Sequence, residues 1–286
     1  MEVNREVLKS SGRIKRKKAL QVLFCVAFFL AVAFVVSNGV FHLDKLYIKK
    51  VYIDGNKQVE DSRIFAVAKD ILSGRYYGVY PKSNILIYPK EQIAEVLLRN
   101  IPWLASVVVS GSANVISIEV MEREPKYLWC DDLAKSAVDR ICYYLDKDGF
   151  VFDKAPNFTG HIYPEFYGGN KRGGYVGRSI LPIETLREIL SIKDSIDKTL
   201  QDKGGILGYV YGVYIYENGD YDLLLSGGRK DWKINFDLNT DPVKKFQVVV
   251  ESKFFKKELD NSTNQLDYID LRFGKKVFYK FNKAGE

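Results

Sequence analysis

Few side chains in this 286-residue sequence have types and spacings that could do chemistry. It holds three cysteines and two histidines. Cys25 lies inside an apolar run and reads as filler. Cys130 and Cys142 hold "DDLAKSAVDR" between them, a loop joining two strands. A cross-strand disulfide is one reading of the pair, and two unrelated thiols the other. Two cysteines alone make no metal site, and His42 and His161 are far from them in sequence. Asp146-Lys147-Asp148-Gly149 opens like a calcium loop but lacks the rest of the EF-hand pattern. An Asp-Gly hairpin turn accounts for it. "YGGNKRGGYVG" is glycine-rich, but Gly174 stands where a phosphate loop needs its lysine, so the stretch reads as a mobile loop. Neither histidine has a recognisable partner, and no carboxylates stand at diagnostic spacing; Asp131 and Asp132 read as solvated loop residues. The chain therefore reads as non-catalytic and without a cofactor.

The elements that must position any function start at a membrane. From Ala19 to Val36 the only polar side chain is Gln21, and Gly39 to Phe41 can lengthen the run. At about 1.5 Å per residue this crosses the hydrocarbon core as a helix, the form that satisfies its own backbone. A cleaved signal peptide is the rival, because Ala31-Val32-Ala33 resembles a cleavage site. That site lies within the run, and cutting there would leave Phe34, Val35 and Val36 at a new N-terminus, so the anchor is the better reading. Seven basic residues precede Ala19 against Glu2 and Glu6, which puts five of the net +7 charges on the tail. Such flanking charge keeps a segment in the cytoplasm and sends the rest outside. The remaining chain carries only +2, which argues against nucleic acid as a partner.

About 245 residues lie beyond the span, with aromatics at 14% of the chain and 19 tyrosines, a strand-favouring composition. "LYIKKVYIDGN" alternates as a strand, and "VEDSRIFAVAKDILSG" places Val59, Ile64, Val67, Ala68 and Ile71 on one helical face. "RYYGVYPKSNILIYPKEQI" reads as a loop with a short extended piece at 84–87. A second helix over 89–100 carries Ile93, Val96 and Leu97, and Pro102 ends it. A strand, a turn at 110–113 and a second strand come after it, with Ile116, Ile118 and Val120 alternating. The order is β-α-α-β-β, two helices covering one face of a three-stranded sheet. Beyond "EREPK" short strands are expected in "YLWC", "ICYYLDKDGFVFD" and "HIYPEF". A helix comes next, with a stripe of Leu186, Ile189, Leu190, Ile196 and Leu200, then further strands. One helix is expected over "DPVKKFQVVVESKFFKKEL", opened by Asp241 and Pro242. The final "LDYIDLRFGKKVFYKFN" reads as one strand or a tight pair.

These segments together resemble the bacterial cell-division family FtsQ/DivIB. The resemblance is carried by the basic tail and span, "VYIDGN", "LLRNIPWLASVVVS", "ISIEVMEREP", "YYLDKDGFVF" and "LDYIDLRFGKKVFYKF", in that order. The "GSANV" turn departs from the family, keeping only Asn114 of its aromatic-Pro-Asn pattern. The resemblance implies an α+β chain with a cytoplasmic tail (1–18), a transmembrane helix (19–41), a β-α-α-β-β POTRA domain (46–122), an FtsQ-type β domain with helices (123–281) and a short tail (282–286). It implies a divisome scaffold in the cytoplasmic membrane at the septum. Partners would be FtsB- and FtsL-like proteins and, through them, an FtsW/FtsI-type peptidoglycan synthase. The binding residues it suggests lie on a terminal edge strand: Phe273, Val277, Phe278, Tyr279, Lys280 and Phe281, with Arg272 contacting a carboxylate. The competing reading puts Phe273, Val277, Tyr279 and Phe281 in the domain core, with Phe278 and Lys280 facing out. The resemblance also suggests a second, lesser contact surface, on "VYIDGN" and 89–100. A POTRA protein of export or envelope assembly is the alternative function, but only one such unit reads here and no set of barrel strands comes after it.

Overall fold

The computed structural model describes residues 3–131, 133, 139–168, 174–204, 207–227, 230–261 and 264–283. Asp132 and residues 169–173 of the glycine-rich stretch lie outside them, so those two sequence readings have no structural counterpart. The chain is α+β and divides into two compact units, Met1–Glu122 and Arg123–Glu286.

The first unit opens with helix α1 (Val3–Phe41), whose Lys17–Phe41 portion is long and apolar enough to cross a membrane. Phenylalanines 24, 28 and 29 point outward along it. Its last turn is fastened to the segment around β3: Asn84 donates to the Phe41 carbonyl at 2.9 Å, and the Phe41 and Tyr80 rings meet edge to face. That strand, β3 (Tyr80–Pro81), forms a ribbon with β2 (Arg75–Tyr76); ahead of them run β1 (Lys50–Asp54) and α2 (Asp61–Ser73). Helix α3 (Lys90–Asn100) precedes the hairpin β4 (Leu104–Ser112) and β5 (Val115–Glu122). The sheet order is β1-β5-β4, with β1 parallel to β5. Ile64, Ala68, Ile71 and Leu72 of α2 and Ile93 and Leu97 of α3 are buried against Ile116, Ile118 and Val120 of β5. Helix period and strand alternation thus converge on one core.

Three local readings need correction. Residues 84–87 form a turn, because the Asn84 side chain accepts from the Leu86 N–H at 2.9 Å and bends the chain. The ribbon β2–β3 occupies a stretch that reads as loop. Strand β4 runs on to Ser112, leaving Ala113 and Asn114 as the turn, with Ala113 at φ +52°.

The second unit is built on a ten-stranded sheet among the described residues. Its strands are β6 (Tyr127–Cys130), β7 (Cys142–Leu145), β8 (Phe150–Lys154), β9 (Glu165–Gly168) and β10 (Arg178–Ser179). After helix α4 (Ile183–Asp202) come β11 (Tyr209–Ile215), β12 (Tyr221–Ser226) and β13 (Trp232–Phe236). Helices α5 (Pro242–Glu251) and α6 (Lys253–Asp260) precede β14 (Asn264–Asp270) and β15 (Phe278–Lys283). The order is β10-β8-β7-β6-β9-β11-β12-β13-β14-β15. The α4 stripe uses Ile192 rather than Leu190, which is only half-buried. The expected strand "HIYPEF" begins at Glu165. The last helical segment breaks in two at Ser252, whose extended backbone and hydroxyl cap the Phe255 N–H at 3.2 Å; serine competes in this way with a continuing helix. The C-terminal stretch is the tight pair, turning at Gly274.

Candidate partner-binding edge

Strand β15 ends the sheet. It pairs antiparallel with β14 from Asp270↔Phe278 to Asn264↔Lys283, and among the described residues no strand pairs with its other side. The opposite end is β10, two residues long, so β15 is the longer of this sheet's two open edges. An unpaired edge presents backbone N–H and C=O groups ready to bind an extended chain.

Alternation sorts the side chains of β15. Tyr279 and Phe281 face the core and meet Phe255 of α6, with ring centroids 5.3 and 5.5 Å away. Val277 packs on the same core. Phe278 and Lys280 face outward; Phe278 remains 49% exposed, and Lys280 reaches Asp267 at 3.3 Å. Phe273 departs from the core reading of the terminal aromatics. It is 52% exposed and stacks edge to face on Phe278 at 5.2 Å. The core reading therefore describes Val277, Tyr279 and Phe281 but not Phe273: Tyr279 and Phe281 brace the strand from within, while Phe273 and Phe278 form an outward aromatic pair.

Arg272 finds its carboxylates inside its own chain. It donates to Asp270 from Nε at 2.9 Å and from Nη2 at 2.6 Å, and to Asp220 from Nη1 at 2.6 Å. Asp220 lies in the β11–β12 turn, so the guanidinium fork ties the start of the terminal hairpin to the middle of the sheet. Burial pushes the Asp270 carboxyl up, but the hydrogen bonds and charge of Arg272 outweigh it and hold the group below its usual range. Lys245 of α5 adds a bond to the Leu271 carbonyl at 2.5 Å. Asp220, Lys245, Phe255 and Asp267 carry no motif of their own and go unnoticed in the sequence. Only the spacing of Asp270 and Arg272 hints at the clamp, through its local half.

The outward face of the sheet continues inward from this edge as a polar row. In register, Phe278 stands beside Asp270, then Asn235, Asp222, Tyr214, Tyr167 and Cys130. Asp222 is buried and bound by Lys233 at 2.9 Å, by the Tyr216 hydroxyl at 2.8 Å and by Asn235. Cys130 and Cys142 are disulfide-bonded across β6 and β7. Beside them, the Glu165 carboxylate is held by Arg140 at 3.1 Å and by the Tyr167 hydroxyl, with His161 Nδ1 3.4 Å away. His161 thus has a partner that the sequence does not reveal, and its ring lies over Tyr211. Both clusters are acids already occupied by neighbouring donors, the arrangement of buried polar groups that hold structure.

The two motifs at the division of the chain are also resolved into contacts. The Glu122 carboxylate accepts from the backbone N–H groups of Lys57, Gln58 and Val59 at 2.8 to 3.0 Å. Arg123 pairs with Asp146 and lies over the Phe150 ring at 3.9 Å. Asp146 also accepts from the Asp148 and Phe150 N–H groups, so its Asp-Gly segment is a closed turn. Among the described residues no group of His, Cys, Asp and Glu is placed to hold a metal ion. No known family model matches the chain, and no curated protein matches it.

Proposed function

We propose that the chain is a non-catalytic, membrane-anchored scaffold of bacterial cell division, similar to the FtsQ/DivIB proteins. In this reading α1 is the anchor and its basic start stays in the cytoplasm. The first unit is a POTRA-type module, and the second receives an FtsB- or FtsL-like partner and so influences an FtsW/FtsI-type septal synthase. The observation that carries the reading is the flank of β15. It is a six-residue terminal strand, paired on one side only among the described residues, that comes after Asp270-Leu271-Arg272 and is braced from within by Phe255. Strand addition there supplies backbone hydrogen bonds, while the exposed Phe273 and Phe278 add apolar contact.

Depletion in the source bacterium tests the role. Filamentous cells with segregated chromosomes are expected, and normal septa would overturn it. Photo-crosslinking residues placed at Phe278 and Lys280 test the surface. They should capture a membrane-anchored coiled-coil protein, whereas the same probe on Ser179 of β10, exposed at the opposite end of the same sheet, should not. Equal capture at all three positions would defeat the edge assignment.

A further inference from the structure

We propose that the β15 edge is charge-selective: it takes an extended segment rich in Asp and Glu and rejects a second copy of itself. This inference rests on the edge reading above and adds the chemistry of the partner. Backbone hydrogen bonds along an open strand are blind to sequence, so selection must come from the side chains around it. The stretch Arg272 to Lys283 carries five basic residues and no acidic one. Two of the five are already engaged, Arg272 with Asp270 and Asp220, and Lys280 with Asp267. Lys275, Lys276 and Lys283 are exposed, and among the described residues no carboxylate pairs with them.

Their placement matters more than their number. Lys275 and Lys276 sit in the turn that enters β15, and Lys283 is its last residue. The cations bracket the open edge over roughly 20–25 Å of extended chain. Lysine on an edge strand is a known defence against pairing with a like edge. Here it acts in both orientations. An antiparallel second copy brings Lys275 and Lys276 against Lys283, and a parallel copy aligns each lysine with itself. A segment carrying carboxylates turns both repulsions into attraction. It must also offer apolar residues, because Phe278 on one face and Tyr279 and Phe281 on the other flank the vacant position.

The test uses the full chain in nanodiscs of zwitterionic lipid and three labelled extended peptides: alternating Val–Glu, Val–Gln and Val–Lys. Exposed ion pairs contribute little singly, so three together favour Val–Glu over Val–Gln by about tenfold at low salt. The advantage should shrink at high salt and vanish in the Lys275→Gln/Lys276→Gln/Lys283→Gln variant, whose circular dichroism and melting should match the parent. Equal binding of Val–Glu and Val–Gln, with crosslinking from Phe278 intact, overturns the charge preference and leaves the edge reading standing. A Val–Glu preference that survives in the triple variant also overturns it, because the selecting cations then lie elsewhere. Failure of every peptide, together with loss of the Phe278 crosslink, overturns both.

Discussion

Gly55 shows how one atom can decide a local structure. It sits at φ +90° after β1, and an added Cβ would lie 2.0 Å from the Val120 carbonyl oxygen. Both the backbone conformation and the close approach exclude a side chain. Gly55→Ala should destabilise the first unit by about 2 kcal/mol or more, read as a lower urea midpoint. Arg272 is the corresponding residue of the second unit. Removing it leaves Asp270, whose side chain is 9% exposed, without its cation. Arg272→Ala should cost about 1–2 kcal/mol, and Arg272→Lys should restore less than half of that, because an ammonium cannot span Asp270 and Asp220 in two directions. Full rescue by lysine would show that charge alone matters. The glycine was legible in "VYIDGN", where Gly-Asn is turn chemistry. The reach of Arg272 to Asp220 was not, because 52 residues separate them and neither belongs to a motif that names the other.

At the scale of elements, β15 depends on α6. Among the described residues the strand has one neighbour in the sheet, so its inner face must supply the rest of its stability, and Phe255 is the fully buried ring it packs on. Phe255→Ala should cost about 3 kcal/mol or more. It should also raise amide exchange in β15 well above that in β12 and β13, which have strands on both sides. Uniform loss of protection across the sheet would instead assign Phe255 to the general core. The break that creates α6 was hidden from the sequence. Helical period runs through "VVVESKFF", and only the folded chain shows Ser252 extended and capping. The β4–β5 hairpin was readable because its alternation is regular, though Ala113 took a left-handed turn position that its type does not announce.

Across the whole molecule, each unit holds a carboxylate whose ionised form the fold favours. Burial pushes the Glu122 carboxyl up, but the three backbone N–H groups outweigh it, and Asp270 behaves alike under Arg272. A lowered folded-state pKa gives stability that is fully present above the unfolded value near 4 and is lost as pH falls through the folded value. Melting temperature should therefore stay level between about pH 7 and 5 and fall below about pH 4. Glu122→Gln and Asp270→Asn should each flatten that fall; an unchanged acid profile in both would remove these groups from it. Residue order alone was enough for an N-terminal helix apolar enough to cross a membrane, for the α+β class and, apart from the β2–β3 ribbon, for the helix–strand order of the first unit. Those come from hydropathy and from periods of 3.6 and 2, which are local properties of the chain. Folding was needed to place β15 at the end of a ten-stranded sheet, to turn Tyr279 inward and Phe273 outward, and to bring Asp220 to Arg272. Strand order and long-range pairing depend on which distant surfaces bury one another, and local pattern carries no record of that choice.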